Sequence, residues 1–348
     1  MDRHSPFRDL PEVMARTSDI WEQLRGKSLF ITGGTGFFGH WLLESFAHAN
    51  KALDLDLKVL VLTRDIDAFH SKAPHLAVDP AIRFHQGDVA TFAFPSGTYT
   101  HVIHAAATSA DETFKGEDPL HKFDTLTRGT RRALEFAAGC GTERFLFASS
   151  GVAYGVAPSG MASIPESYSG APDTLDVNSA LGHGKRSAEF LCAYFAARHG
   201  WDLSIARCFS FIGPRLPLDL HYAIGNFIKQ AHQDREIIVN GDGTPLRSYL
   251  YMADLVVWLL ALLLKAPPGQ IFNVGSDQAI SIHDLAYLVR DILCPGKPVR
   301  ILGERAYSVG NAVRSQYVPD ISKARKVLGL DVWTPLEEAV RRTGMASI

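Results

Sequence analysis

Residues 28–40 read SLFITGGTGFFGH, in which an apolar stretch of strand character runs directly into a glycine-rich turn, and an apolar helical segment follows to Asn50. Glycine lets the backbone approach a bound phosphate without a Cβ in the way, and a helix N-terminus offers N–H donors with a partial positive charge. We therefore predict a strand, a phosphate-binding turn and a helix. The predicted contacts for the pyrophosphate of a dinucleotide are Gly33, Thr35, Gly36, Phe37, Phe38 and Gly39.

Short apolar runs alternate with helical segments after this turn. Further strands are predicted at residues 58–63, 82–85, 101–104, 144–148 and 201–206, with helices at 124–139 and 179–199. Near-continuous apolar strands that alternate with helices are typical of a parallel sheet covered on both faces. The sequence thus predicts an α/β fold with a doubly wound parallel sheet of the Rossmann type.

The regular alternation of strands and helices ends after Phe209, where Gly213 and Pro214 interrupt regular structure. We predict an N-terminal helical extension at residues 1–27 and a nucleotide-binding domain at residues 28–208, with segments near 250–275 returning to its sheet. Residues 209–249 and 276–348 are expected to form a smaller C-terminal α/β lobe that binds the substrate.

Composition narrows the classes of function. The 348 residues carry a net charge of −2, which gives no general electrostatic reason to bind nucleic acid or an acidic membrane. The four cysteines are scattered, which favours a reducing compartment, and no spacing predicts a metal site. The start of the chain lacks the apolar core of a secretory signal, and the run Leu255–Leu264 is too short to cross a bilayer. We expect a cytoplasmic protein.

Later segments make the pattern specific to one family. They are NSALGHGKRSAE at 178–189, RCFSFIGPR at 207–215, GDG at 241–243, RSYLYMAD at 247–254 and NVG at 273–275. With the glycine turn, they resemble the extended short-chain dehydrogenases of the nucleotide-sugar epimerase/dehydratase family over about residues 27–340. Residues 34–44 and 184–189 look most similar to bacterial enzymes that act on deoxysugars, including reductases of 4-keto-6-deoxy nucleotide sugars.

The resemblance implies an enzyme that binds NAD or NADP, acts by hydride transfer on a nucleotide-diphosphate sugar and forms a homodimer. It places Arg247 on the diphosphate, where a planar guanidinium suits phosphate oxygens. The implied cofactor contacts, beyond the glycine turn, are Asp88, Val89, His104, Ala105, Ala106 and Lys185, and the implied substrate contacts are Asn226, Arg247 and Arg314.

The end of the second strand bears on the choice of cofactor. An acidic residue there usually binds the adenosine ribose and selects NAD. Here the strand ends at Thr63, and Arg64 follows, which could pair with the 2′-phosphate of NADP; Asp65 could still reach the ribose. We favour NADP over NAD.

The catalytic tyrosine of the family is missing. The family carries a Tyr-x-x-x-Lys helix in which both side chains share one face and the phenol passes a proton as hydride moves. In this chain Lys185 is present, but Leu181 occupies the tyrosine position, and Ser150 is the matching serine after the fifth strand.

Four interpretations of Leu181 stay open. Another group could donate the proton, with Tyr154, Tyr168, His183 or an ordered water as candidates, and Tyr154 favoured because its turn should lie on the substrate side of the nicotinamide. The protein could instead be a degenerate member of the family, an engineered variant, or one whose helix aligns in a different register.

We therefore expect an NAD(P)-dependent nucleotide-sugar epimerase or reductase with an altered active site. Sugar 4,6-dehydratases are disfavoured, because Gly151 and Val152 stand where those enzymes need an Asp-Glu pair. The alternative is a non-catalytic NAD(P)-binding sensor or scaffold. The sequence leaves the sugar, the nucleotide base and the direction of the reaction open.

Overall fold

A computed structural model of the chain describes residues 9–107, 116–220, 222–233, 235–303 and 315–347. Arg314, one of the predicted substrate contacts, lies outside these ranges. The strands are β1 (Ser28–Thr32), β2 (Lys58–Thr63), β3 (Ile82–Gln86), β4 (His101–His104), β5 (Arg144–Ser150), β6 (Asp202–Cys208), β7 (Phe211–Ile212), β8 (Ile237–Val239), β9 (Leu246–Arg247), β10 (Leu250–Tyr251), β11 (Gln270–Val274), β12 (Ile280–Ser281), β13 (Val299–Ile301) and β14 (Gln316–Tyr317).

The helices alternate with these strands. They are α1 (Leu10–Arg16), α2 (Phe37–Leu53), α3 (Ile66–Lys72), α4 (Pro74–Ala77), α5 (Pro119–Gly139), α6 (Ala180–His199), α7 (Ala223–Gln233), α8 (Met252–Leu264), α9 (Ile282–Leu293), α10 (Ser322–Leu328) and α11 (Leu336–Met345). Short 3₁₀ turns add Trp21–Leu24, Gly151–Tyr154 and Val177–Ser179.

Within the described residues, seven parallel strands form the main sheet in the order β3-β2-β1-β4-β5-β6-β11. The strand order reverses direction between β1 and β4, which is the point where doubly wound sheets bind ligands beyond the carboxyl ends of the strands. The central strands are buried on both faces, as their continuous apolar sequences require. The predicted Rossmann-type α/β fold is confirmed.

Smaller pieces of sheet build the lobe beyond β6. Strand β9 pairs with β12 and β14, β8 pairs with β13, and β7 pairs with β10. In the first of these sheets Arg247 and Tyr317 are direct partners in a parallel register. This pairing places a residue of the predicted diphosphate site beside a tyrosine that the sequence analysis did not single out.

The N- and C-terminal segments pack against the same part of the core. Every residue of α8 is buried, and α1 packs on this helix through Leu10 and Val13. The Asp9 carboxylate accepts from Tyr251 Oη at 2.6 Å and from Arg342 at 2.5 Å. The C-terminal segment is therefore joined to the N-terminal extension through Arg342 and Asp9.

Candidate active site

The glycine turn after β1 is packed too tightly for side chains at two of its positions. Gly33 has φ +74°, and a Cβ there would lie 2.6 Å from the carbonyl carbon of Ala105. A Cβ on Gly39 would lie 2.3 Å from the Cα of Gly34. These contacts hold the turn against the end of β4 and bring the start of α2 to the carboxyl edge of the sheet.

Gly36 differs, because no described residue outside the turn crowds it. Its φ of −83° and ψ of −174° are open to any residue, and a Cβ there would touch only the Gly33 carbonyl oxygen, at 3.3 Å. Gly36 precedes the first turn of α2 and has no side chain to cap that turn. The backbone N–H groups at such a helix start have no partner within the helix and can bind an anion, and a larger side chain at position 36 would lie beside them.

A cavity of about 900 Å³ opens beside this turn. It follows the carboxyl ends of β1, β2, β3 and β4, which is the expected path of the pyrophosphate and adenosine of a dinucleotide. The predicted cofactor residues that line it are Gly33, Thr35, Gly36, Phe37, Phe38, Arg64, Asp88, Val89, Ala105 and Ala106.

At the ends of β2 and β3 the cavity is lined by one arginine and two aspartates, Arg64, Asp65 and Asp88. Arg64 is exposed at the end of β2, and Asp65 follows it. One oxygen of Asp65 accepts from Ala68 N at 2.9 Å and so caps α3. One oxygen of Asp88 accepts from Ala90 N at 2.9 Å, which holds the turn after β3. The guanidinium thus lies at the cavity, while both carboxylates have structural hydrogen bonds.

Lys185, on α6, is buried and is not among the residues that line this cavity. Its Nζ donates to Ala148 O at 2.6 Å and sits 4.8 Å from the centre of the Phe147 ring. Burial lowers the pKa of Lys185 to about 8. The ammonium is thus held at the carboxyl end of β5, where part of its charge is lost in mildly alkaline solution.

The first turn of α6 packs closely on the turn after β5 and on α5. A Cβ on Gly182 would lie 2.8 Å from Val152 O, and one on Gly184 would lie 2.7 Å from Leu126 Cδ1. Leu181, the second residue of α6, is half-buried, and Ser150 Oγ accepts from Val152 N at 3.3 Å. The side chain four residues before Lys185 is therefore the aliphatic Leu181.

Comparisons with known proteins agree with this geometry. The model of the NAD dependent epimerase/dehydratase family matches residues 29–275. The chain belongs to this family.

Individual relatives and solved structures match a larger share of the chain than the family model does. UDP-glucuronic acid decarboxylase 6 of Arabidopsis thaliana is 28% identical over 315 residues, covering 90% of this chain and 86% of that protein. UDP-glucuronic acid decarboxylase 1 of Xenopus tropicalis is 29% identical and covers 91% and 71%. The structure of UDP-glucuronic acid 4-epimerase from Bacillus cereus, in complex with UDP-glucuronic acid and NAD, superposes with a TM-score of 0.76 at 22% identity, covering 92% and 98%.

Two of the predicted site residues have other roles. His104 is buried; its Nδ1 lies 2.6 Å from Thr32 Oγ1 and its Nε2 lies 3.0 Å from Thr130 Oγ1. Burial lowers the pKa of His104 to about 3, so the ring is neutral. The imidazole joins β4 to β1 and α5 and is absent from the cavity lining; Ala105 and Ala106 supply the surface there.

Tyr154 was favoured as a replacement proton donor, but the structure places its phenol in the core. Its side chain is fully buried, its Oη donates to Asn273 Oδ1 at 2.8 Å, and the Arg207 guanidinium lies 4.3 Å from its ring centre. Burial raises the pKa of Tyr154, which opposes proton release. The phenol joins β11 to the turn after β5.

His183 and Tyr168 also point elsewhere. His183 Nε2 lies 3.0 Å from Asp173 O, in the loop before α6. The Tyr168 ring folds over the backbone of Gly170, where an added Cβ would lie 2.3 Å from its Oη.

Sequence reasoning missed a buried ionic network behind the site. Glu189 accepts two hydrogen bonds from Arg207, at 2.9 and 2.6 Å, and one from Ser149 Oγ at 2.5 Å. Glu189 follows Lys185 by one helical turn, so the network ties the lysine-bearing face of α6 to β5 and β6. Only the spacing of Lys185 and Glu189 could have indicated it.

Asn226 and Arg247 lie in the lobe. Asn226 is half-buried on α7, and Arg247 is half-buried on β9, where its guanidinium donates to Leu246 O at 2.7 Å. No group of three or more histidine, cysteine, aspartate or glutamate side chains in the described ranges is arranged to hold a metal ion. None of the helices described has the length and apolar character needed to cross a membrane.

Proposed function

We propose that the protein binds NADP or NAD in the cavity beside the glycine turn and acts on a UDP-sugar, as an epimerase or reductase whose catalytic tyrosine is replaced by Leu181. One observation carries the proposal: the cavity runs along the strand ends from the anion site at Gly36, and Lys185 is held at the neighbouring end of β5.

Each residue has a role that follows from its chemistry. The N–H groups at the start of α2 bind the pyrophosphate, and Ala105 and Ala106 let the cofactor lie against β4. When bound, the nicotinamide donates or accepts a hydride. Lys185 binds the adjacent ribose, and Ser150 offers a hydroxyl to the sugar.

UDP-sugars are the proposed substrate class because they occur in the names of the relatives and of the matched structure. UDP-glucuronic acid is the first candidate, since it occurs in the names of the decarboxylases and with NAD in the Bacillus cereus structure. The guanidinium of Arg247 is the proposed diphosphate contact. NADP is favoured over NAD because Arg64 is exposed at the end of β2, where no side chain of the strand itself is acidic.

The second candidate function is a non-catalytic sensor or scaffold that binds NAD(P). Leu181 favours it, because general acid–base catalysis contributes roughly 10²–10⁴ to rate and an aliphatic side chain supplies none of it.

One experiment separates the two functions. The purified protein is titrated with NADH and NADPH by fluorescence, and then incubated with UDP-glucuronic acid, UDP-glucose or a 4-keto-6-deoxy nucleotide sugar and matching cofactor. Products are analysed by nuclear magnetic resonance. We expect dinucleotide binding and turnover of at least one sugar. Binding without any turnover would favour the sensor or scaffold, and no binding would refute both.

We also propose a homodimer that uses the outer face of α6. Phe190 and Tyr194 are 69% and 51% exposed there, one helical turn apart, and aromatic side chains are enriched in protein interfaces. Light scattering should then give twice the 38.1 kDa of one chain. A cytoplasmic location stays a prediction.

A further inference from the structure

The replacement for the missing phenol has to reach the ends of β5 and β6. Ser150 ends β5 and pairs in register with Cys208, which ends β6. Lys185 lies close enough to Cys208 that each group affects the pKa of the other. A proton donor for a sugar bound at Ser150 must therefore lie over these two strand ends.

Tyr317 comes from the lobe and reaches this point. Its Oη lies 3.5 Å from Cys208 O, and a Cβ on Gly151 would lie 2.8 Å from the same Oη. Gly151 directly follows Ser150, and its missing side chain leaves the space that the phenol uses. The ring of Tyr317 is 4.7 Å from the ring of Phe209, which fixes its direction.

Tyr317 is also joined to the predicted diphosphate site. It pairs with Arg247 across β14 and β9, so the two side chains belong to one small sheet. If the diphosphate binds at Arg247, the attached sugar lies between this sheet and the end of β5. That is the side from which Tyr317 approaches Ser150.

We propose that Tyr317 is the catalytic residue that exchanges a proton with the sugar oxygen, in place of the tyrosine that the family carries at position 181. The proposal rests on the proposed function above. In reduction, the phenol O–H bond breaks as a new O–H bond forms on the former carbonyl oxygen, leaving phenolate; in oxidation the phenolate takes that proton back. The hydride and its electron pair move separately, between the sugar carbon and the dinucleotide.

Nearby groups fit this step less well. Burial raises the pKa of the Cys208 thiol to about 12, so that it stays protonated. The Tyr154 hydroxyl is bonded to Asn273, and His183 lies against Asp173 O, as described above.

The test is Tyr317→Phe, which removes only the hydroxyl and keeps the ring on Phe209. We expect kcat to fall by roughly 10²–10⁴ and one ionisation to disappear from its pH profile, with NADPH affinity and melting temperature unchanged. Tyr99→Phe is the matched control, because its hydroxyl bonds Ser96 O at 3.3 Å in the loop before β4. In the Tyr317→Phe background, Leu181→Tyr should restore turnover, which would show that both positions serve one proton.

Binding provides a second measurement that does not need turnover. UDP-glucuronic acid and UDP are titrated by calorimetry into parent and variant. Loss of a hydrogen bond to the sugar should lower the affinity for UDP-glucuronic acid by about tenfold and leave the affinity for UDP unchanged.

The outcomes separate this inference from the proposed function. A Tyr317→Phe variant with the turnover and pH profile of an active parent would overturn the role of Tyr317 alone. If the parent binds but has no turnover, equal affinities of parent and variant for UDP-glucuronic acid would overturn it. A parent that binds neither dinucleotide nor UDP-glucuronic acid would refute both proposals.

Discussion

The two ends of the site are built in different ways. The cavity beside α2 is built around backbone: the glycine turn, the strand ends and the small residues Ala105 and Ala106 line it, with charged side chains such as Arg64 at its far end. The end near Lys185 is formed by side chains from β5, α6 and the lobe, which lie far apart in the sequence. The first end contains the predicted glycine turn, whereas at the second Leu181 stands four residues before Lys185. The two ends can therefore be tested separately, one by dinucleotide binding and the other by turnover.

The largest expected effect tests the backbone-built end. Gly36→Val should abolish dinucleotide binding, because the side chain would fill the anion site while the backbone conformation stays allowed. Binding is measured by NADPH fluorescence, and folding by circular dichroism.

Gly139→Val provides the control for Gly36→Val. Gly139 is exposed at the end of α5, and nothing lies within 4 Å of an added Cβ. This variant should bind as the parent does. A folded Gly36→Val protein with parental affinity would remove the basis for the dinucleotide site.

An intermediate effect is expected at the adenosine end. If Arg64 pairs with the 2′-phosphate, Arg64→Ala should lower the affinity for NADPH by about tenfold to a hundredfold, because a charge-assisted hydrogen bond contributes that much. The affinity for NADH should stay nearly unchanged. Arg131→Ala is the control, because Arg131 is exposed on α5 and pairs with Glu135. Equal losses for both cofactors would mean that Arg64 does not recognise the 2′-phosphate.

The smallest effect concerns pH at the side-chain end. Lys185 has a pKa of about 8, lowered by burial, so below pH 8 it is charged and above pH 8 it must take up a proton when the ribose binds. Dinucleotide affinity should be flat below about pH 7 and fall by up to about tenfold per pH unit above 8. Titrations between pH 6 and 9.5 measure this.

Lys185→Met should bind more weakly and lack this pH dependence. A parent whose affinity stays constant through pH 9.5 would show that the charge on Lys185 does not contribute to binding. The residues that line the cavity would then hold the cofactor without Lys185, which would sharpen the difference between the two ends.

Local patterns were sufficient where a feature depends on neighbouring residues. The alternation of apolar strands and helices predicted the parallel sheet, and the glycine spacing after β1 predicted the turn at which the cavity opens. Both follow from backbone geometry within a few residues. The absence of a phenol four residues before Lys185 is likewise a property of the sequence itself.

Burial and distant partners were decided only by the tertiary structure. His104 and Tyr154 have the residue types of a site, but Thr32, Thr130 and Asn273 occupy their polar atoms in the core. Tyr317 reaches Gly151 only because β14 pairs with β9 and the lobe folds over the ends of β5 and β6. Sequence spacing describes which side chains share a helix or strand, whereas the partner of a polar group is chosen by packing between segments that are 26 to 119 residues apart in these examples.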